Sequence, residues 1–169
     1  MIIISIIKYQ EEIIRIDNKE RMIYMSLEEN KDIIRKMAEA MNERNLDLLE
    51  EWVAPDYVDH THNLRGPQEV KKFLTLCFKG LDLHFSIEDM IAEGDKVWVR
   101  NTFTGIHVSD FMGFAPTGKK ITETAVQMYR IVNDKVVENL QVSNPLGLLI
   151  QLGAVEYIFR KLRTGLKRD

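Results

Sequence analysis

The densest group of side chains able to exchange protons lies between residues 56 and 62. Asp56, Asp59, His60 and His62 are there, with Tyr57 among them. A carboxylate or an imidazole at a pocket mouth can act as a general acid or base, so Asp59 and His60 are the predicted catalytic residues and Tyr57 a predicted donor. His60 and His62 would share one face of a strand, but no further ligands with metal-like spacing accompany them, so no metal is expected. The alternative is a strand-end cluster that hydrogen-bonds local backbone.

Two glutamines form a second polar group, on neighbouring predicted strands. Gln127 and Tyr129 share a face of the strand predicted over 120–132, and Asn139 and Gln141 share a face of the strand predicted over 135–143. An amide donates and accepts hydrogen bonds but cannot exchange a proton near neutral pH. Buried glutamines need partners; they either orient a ligand or hydrogen-bond each other or buried water.

Arg100 lies in the middle of a predicted strand, beside Trp98 and Thr102. It is a predicted ligand-binding residue, and the alternative is a structural arginine paired with Glu123 or Glu88.

The elements before residue 82 follow a helical period. Residues 28–44 carry a one-sided apolar stripe, a short helix is predicted over 46–53, and Pro67 opens a third helix through Leu81. A short strand is predicted over 56–61 between the second and third helices.

After Leu81 the apolar period changes from about 3.6 to 2. Strands are predicted over 83–91, 97–104, 120–132 and 135–143, with turns at Gly94-Asp95 and Asn133-Asp134. A closing helix is predicted over 145–151. Helices followed by a run of strands predict an α+β fold: a cone-shaped half-barrel of a strongly bent antiparallel sheet, with the N-terminal helices closing the pocket.

Composition excludes several classes of protein. The 169 residues fit one ordinary domain. The formal net charge of −3 disfavours a basic nucleic-acid binder, and no apolar run approaches the roughly 20 residues that span a bilayer. One cysteine excludes an intramolecular disulfide and fits a cytoplasmic location.

The two ends differ from the middle of the chain. Residues 1–25 form a predicted extension, because a capping-box pattern at Ser26 to Glu29 follows Met25 directly; Met25 is the hypothesised native start, which N-terminal sequencing would test. Residues 26–153 form the predicted domain, and residues 154–169 a basic helical tail.

Four stretches carry a resemblance to a known family. They are DYVDH at 56–60, the run from Ile91 to Gly105, GFAPTGK at 113–119 and LGLLIQLG at 146–153. From residue 28 to residue 153 the chain resembles the SnoaL-like polyketide cyclases, or ester cyclases, of the nuclear transport factor 2-like superfamily. The resemblance implies a conical pocket for an apolar, carbonyl-bearing ligand, ring closure by aldol chemistry without metal or cofactor, and a homodimer through the outer face of the sheet.

The chain departs from the family pattern at the residues that would do this chemistry. By the resemblance, the acid/base aspartate falls on Gln141, a histidine position on Asn139, and a partner position on Gln127. Two functions therefore remain open. One is a cyclase or isomerase in which Asp59 or His60 replaces the lost carboxylate; the other is a protein that holds its ligand without turnover.

Overall fold

The computed structural model describes residue 15 and residues 26–155. Nearly all of the predicted extension, and the predicted basic tail beyond residue 155, lie outside the described residues. Among residues 26–155, no helix has both the length and the apolar character needed to cross a membrane.

Helices occupy the positions that the apolar stripes predict. The described part of α1 covers residues 26–42, and its stripe residues Ile33, Ile34 and Met37 are buried. Because residue 26 is already helical, Ser26 lies within α1, and its predicted position as N-cap is wrong. A 3₁₀ turn, Leu46–Leu48, leads into α2, Leu49–Trp52, and α3 and α4 follow at Gly66–Leu81 and Pro145–Leu152.

Six strands form one curved sheet. They are β1 (Val53–Asp59), β2 (Leu64–Arg65), β3 (His84–Glu93), β4 (Lys96–Ile106), β5 (Lys120–Val132) and β6 (Lys135–Val142), in the order β2-β1-β6-β5-β4-β3. Four pairs are antiparallel, whereas β1 pairs with β6 in parallel. The sheet is therefore mixed, which corrects the expectation of a purely antiparallel one.

The first strand begins earlier than the sequence predicts. Residue 53 was expected to end a helix, but Val53 opens β1, and the helix ends at Trp52. Pro55 does not break the strand, because it lies between Val53 and Val58, where the pairing with β6 shifts register. A proline is tolerated at such an irregularity since no ladder hydrogen bond is required of it there.

A β-bulge at Glu88 changes which side chains of β3 face inward. Ile87 pairs with Asn101 but Asp89 pairs with Arg100, so one extra residue lies on β3. A bulge reverses the alternation beyond it. Met90 therefore packs against the core, whereas Ile91, predicted to share a face with Ile87, is 64% exposed.

The apolar core consists of two clusters on the inner face of the sheet. The larger joins α1 and the short helix α2 to the central strands through residues such as Ile34, Leu49 and Val99. The smaller joins α3 and α4 to the start of β5 through Cys77, Leu152 and Ile121. Helices packed on one side of a curved open sheet confirm the predicted α+β class.

Candidate functional site

A small pocket lies between α1 and the inner face of the sheet. Four residues of α1 form one wall, among them Met37 and Met41, and the sheet contributes Asn101, Gln127 and Tyr129 to the other. The free interior is about 10 Å³, roughly the room that one water molecule needs. The pocket is thus nearly filled by its own side chains, including two methionines, whose unbranched chains rearrange easily.

A pair of amides lies in the wall of this pocket. The Nδ2 of Asn101 donates a hydrogen bond to the Oε1 of Gln127 at 2.6 Å, and Asn101 is only 6% exposed. Gln127 was predicted as a ligand-binding residue, but its partner was not. The signal was present in the sequence, because Asn101 shares the face of β4 that carries Val97, Val99 and Phe103.

Gln141 lies directly opposite Gln127 on the neighbouring strand. No hydrogen bond joins the two glutamine side chains among the described residues; the Oε1 of Gln127 accepts from Asn101. The backbone amide and carbonyl of Gln141 instead both bond the hydroxyl of Thr61. The Gln141 side chain is half-buried and is not part of the pocket wall.

A second polar group surrounds the carboxylate of Asp59, at the end of β1. The parallel pairing of β1 with β6 places Asp59 opposite Asn139, and Asn139 in turn lies opposite Tyr129 of β5. The Nδ2 of Asn139 donates to the Oδ2 of Asp59 at 3.2 Å. These three predicted site residues, together with Tyr57 of β1, are buried and are brought together by three strands.

His62 and two backbone amides complete the hydrogen bonding of the Asp59 carboxylate. The Oδ1 of Asp59 accepts from the backbone amides of Thr61 and His62, each at 2.8 Å, an Asx turn. The Oδ2 lies 3.1 Å from the Nδ1 of His62. The His62 ring packs on Phe73 of α3, with the ring centroids 4.5 Å apart.

The electrostatics of this group keep the carboxylate charged and the phenols neutral. Burial acts to raise the pKa of Asp59, but the hydrogen bonds and charge of His62 and the amide of Thr61 outweigh it and hold that pKa below its usual value. Burial, together with the Asp59 charge, raises the pKa of both Tyr57 and Tyr129. Both phenols are therefore hydrogen-bond donors, not bases, at neutral pH.

Two predicted site residues are not brought to this inner face. His60 is exposed, and its Nε2 lies 3.8 Å from Glu138, because it follows the inward-facing Asp59 and successive side chains along a strand point to opposite faces. Arg100 is exposed on the face of β4 opposite to Asn101 and makes no ion pair with any residue of 26–155. The predicted alternative partner Glu123 instead accepts from the backbone amide of Asn144. Sequence reasoning named His60, while the structure pairs Asp59 with His62.

The described part of the chain contains no group of three or more His, Cys, Asp or Glu side chains placed to hold a metal ion. What the inner face offers is hydrogen bonding: amides at Asn101, Gln127 and Gln141 and a neutral phenol at Tyr129. Such groups polarise a carbonyl oxygen.

Comparison with known proteins agrees with this geometry. The family model described as SnoaL-like polyketide cyclase matches residues 31–152. The chain belongs to the SnoaL-like polyketide cyclase family. This SnoaL-like protein is 28% identical over 129 residues to the aklanonic acid methyl ester cyclase DauD of Streptomyces sp. (strain C5), covering 72% of this chain and 80% of DauD. It is 27% identical to a second aklanonic acid methyl ester cyclase, DnrD of Streptomyces peucetius, covering 72% of this chain and 89% of DnrD.

Solved structures show the same fold. The crystal structure of AclR from Streptomyces galilaeus, a candidate hydroxylase, is 32% identical with a TM-score of 0.69, covering 76% of this chain and 98% of AclR. TsrD from Streptomyces laurentii superposes equally well, with a TM-score of 0.69 at 23% identity over 75% of this chain and 96% of TsrD, which supports the fold alone. One fold can host more than one chemistry, so the fold alone does not determine the reaction.

Proposed function

We propose that this SnoaL-like protein binds an apolar, carbonyl-bearing small molecule on the inner face of its sheet and closes a ring in it by cofactor-independent aldol chemistry. The observation that carries the proposal is the amide pair of Asn101 and Gln127, set in an otherwise apolar wall beside the neutral phenol of Tyr129. Polar groups in such a wall fix the orientation of a ligand. The names of DauD and DnrD as ester cyclases support a substrate of this class.

The hydrogen-bond donors on the inner face suit the first step of an aldol reaction. A donor placed at a carbonyl oxygen stabilises the enolate that forms when the neighbouring carbon loses a proton. Gln127, Gln141 and Tyr129 supply such donors. By the family resemblance Gln141 occupies the position of the usual acid/base aspartate, and an amide cannot replace it in moving the proton.

Ligand entry requires the pocket to widen. A drug-sized ligand needs a cavity of about 300 Å³ or more, far beyond the present free interior of about 10 Å³. Met37 and Met41 of α1 are the side chains whose rotation opens the wall opposite Gln127. A binding-induced change is therefore part of the proposal.

The second candidate function is binding without turnover. It is favoured by the pocket wall itself, in which none of the lining residues is a carboxylate or a histidine. The two candidates differ only in whether the bound ligand reacts.

The test uses aklanonic acid methyl ester as the probe. Calorimetry measures its binding, and chromatography with mass spectrometry follows its conversion. Binding followed by a product of unchanged mass supports the cyclase, because ring closure is an isomerisation. Binding with no product supports the second candidate function. A product heavier by one oxygen atom would mean that the protein is a hydroxylase and not a cyclase. Absence of binding contradicts the proposed ligand class.

A matched pair of variants ties the binding to the amide pair. Gln127→Leu removes one hydrogen-bonding group, worth about 1 kcal/mol, so we expect affinity for the ester to fall roughly fivefold to tenfold. Thr124→Val, on the outer face of the same strand, is the control and should bind like the wild type. Equal affinity of the wild type and Gln127→Leu would refute the role of the pair.

The outer face of the sheet supports a homodimer. One row of side chains crosses four strands in register: Ile91, Trp98, Met128 and Leu140. Ile91 and Trp98 are 64% and 43% exposed. A second copy of this chain fits the row because a two-fold axis places one apolar patch against itself, and charged residues border it, including Arg130 bonded to Glu138.

Sedimentation velocity tests this assembly. The wild type should sediment as a dimer, and Trp98→Glu, which places a charge at the centre of the apolar row, as a monomer. Thr104→Glu, on the same face but outside the row, is the control. A monomeric wild type would refute the dimer.

The free thiol supports a cytoplasmic location, because a reducing compartment keeps cysteines unpaired. Cys77 is free and buried, and burial raises its pKa to about 11, so it stays protonated and unreactive. Fractionation of cells that express the full chain would test the location.

A further inference from the structure

The proposed aldol reaction needs a group that can take and return a proton, and the amides of the inner face cannot. Three described features point to one such group at the end of β1. They are the hydrogen-bonded pair of Asp59 and His62, the position of that pair beside Gln141, and the free edge of the His62 ring.

The first feature is the geometry of the pair. The Oδ2 of Asp59 accepts from the Nδ1 of His62 at 3.1 Å, and the Oδ1 is held by two backbone amides. Asp59 is 5% exposed, so its carboxylate is fixed in place. A buried carboxylate bonded to Nδ1 holds the proton there and leaves Nε2 as the acceptor.

The second feature is the position of His62 relative to the inner face. The same Oδ2 that bonds His62 also accepts from Asn139, whose side chain is buried on that face of β6. Thr61 then bonds the backbone of Gln141. The imidazole therefore lies on the inner side of the sheet. Thr61, the residue before it in the chain, contacts the strand position where the family's acid/base aspartate falls by the resemblance.

The third feature is access. Nε2 of His62 makes no hydrogen bond to any other residue of 26–155, and the side chain is 29% exposed. One side of the ring rests on Phe73 of α3, which packs with the smaller apolar cluster. The Asp59 carboxylate fixes Nδ1 of the His62 ring, and Phe73 packs against the ring. The free nitrogen, Nε2, is therefore held pointing in one direction.

We infer that His62 is the general base and acid of this SnoaL-like protein, oriented by Asp59, and that it supplies the proton exchange that Gln141 cannot. The inference rests on the proposed function. His62 would touch the substrate and is the catalytic residue, whereas Asp59 acts through it and is a positioning residue.

The reaction balances without any co-reactant. Nε2 of His62 takes the proton from a carbon next to a carbonyl group, and the C–H electron pair becomes the enolate. The enolate carbon attacks the second carbonyl carbon of the same molecule, so that a C–C bond forms and the C=O electron pair moves to oxygen. The imidazolium returns its proton to that alkoxide, which leaves a hydroxyl group and neutral His62.

The first test is the protonation pattern of the free enzyme. Nitrogen-15 spectra of histidine-labelled protein at neutral pH should show the His62 proton on Nδ1, and Asp59→Asn should move it to Nε2, because the new amide donates where the carboxylate accepted. This measurement tests whether Asp59 orients the ring, and the deuterium exchange described next tests whether the ring acts as the base. A wild-type proton on Nε2 would overturn the inference whatever the substrate is.

The second test separates base from binding. The probe is aklanonic acid methyl ester deuterated next to its ketone carbonyl groups, with binding measured by calorimetry and deuterium loss by mass spectrometry. We expect His62→Gln to bind with an affinity within about threefold of the wild type and to lose deuterium at least a hundredfold more slowly, the lower bound of general-base contributions. His84→Gln, at an exposed histidine that begins β3, is the matched control and should exchange like the wild type.

The outcomes distinguish this inference from the proposed function. Exchange by His62→Gln at the wild-type rate, or binding of the ester by the wild type without any exchange, overturns His62 as the base while the ligand class stands. Absence of binding contradicts the proposed ligand class. The tautomer measurement needs no substrate, so it still tests whether Asp59 orients His62.

Discussion

Replacement of Asp59 by alanine tests whether its carboxylate organises the end of β1. The change removes an acceptor of four hydrogen bonds, from the backbone amides of Thr61 and His62 and from the side chains of His62 and Asn139. Hydrogen bonds to charged groups contribute about 1.5–3 kcal/mol each. The net loss is smaller than their sum, because burial of the carboxylate itself costs free energy and part of the exposed turn bonds water once the carboxylate is gone. We expect a net loss of about 3–5 kcal/mol in the free energy of unfolding.

Urea unfolding near neutral pH, at fixed protein concentration, measures this loss. Asp56→Ala is the matched control, because Asp56 lies exposed on the same strand and should change the free energy of unfolding by no more than about 0.5 kcal/mol. A loss from Asp59→Ala as small as that of Asp56→Ala would refute the structural role of the carboxylate.

The same pair of proteins gives a pH dependence with a definite sign. The pKa of Asp59 is lower in the folded protein than its ordinary value of about 4. Its contribution is therefore fully present above the ordinary value and disappears as the pH falls through the folded one. The stability difference between wild type and Asp59→Ala should narrow over that acid range, and a difference that stays constant there would contradict the pKa argument.

Three further predictions concern the inner face and the sheet. Asn101→Leu should lower the free energy of unfolding by about 1–3 kcal/mol, since it leaves Gln127 without its donor, and adding Gln127→Leu should recover part of this loss in a double-mutant cycle. Gly105→Ala should cost at least about 3 kcal/mol, because the new Cβ would lie 2.3 Å from a backbone carbonyl oxygen of α3. Tyr57 and Tyr129 have raised pKa values, so their stabilising effect persists below pH of about 10 and is lost above it; ultraviolet phenolate absorbance should show them ionising only as the protein unfolds.

Each of these predictions has an outcome that contradicts it. Additive losses in the double-mutant cycle would mean that the two amides do not interact. Thr104→Ala is the neighbouring control for Gly105→Ala, and equal stability of the two variants would contradict the close approach of α3 to β4. Smooth ionisation of all tyrosines before unfolding would contradict the burial of the two phenols.

Much of the fold follows from local patterns in the sequence. The helical stripe around Ile34 and the period-2 strands predict α1 and the meander from β3 to β6, because both signals depend on residues a few positions apart. Local patterns do not predict the bulge at Glu88, since it depends on the cross-strand geometry of β3 and β4. They do not predict the parallel pairing of β1 with β6 either, because Asp59 and Asn139 are 80 residues apart.

The sequence also predicts part of the candidate site, namely the residues that lie within regular strands. Strand alternation correctly places Gln127, Tyr129 and Asn139 on one inner face, because alternation holds within a regular strand. Alternation also accounts for His60, which follows the inward-facing Asp59 and lies on the outer side. It does not account for His62, because an Asx turn carries the chain out of the strand and returns His62 to the carboxylate. That outcome is set by side-chain hydrogen bonds that no periodicity encodes.

The parallel pairing of β1 with β6 also has a consequence for how the chain acquires its structure. The strands from β3 to β6 are sequential neighbours and can assemble from local contacts, whereas β1 joins them only after a loop of about 80 residues closes, a slow step in folding. During synthesis β1 must wait for β6 to leave the ribosome. The Asp59 site is therefore among the last parts to form, and a conformation-specific reagent for it would report completed folding of this chain.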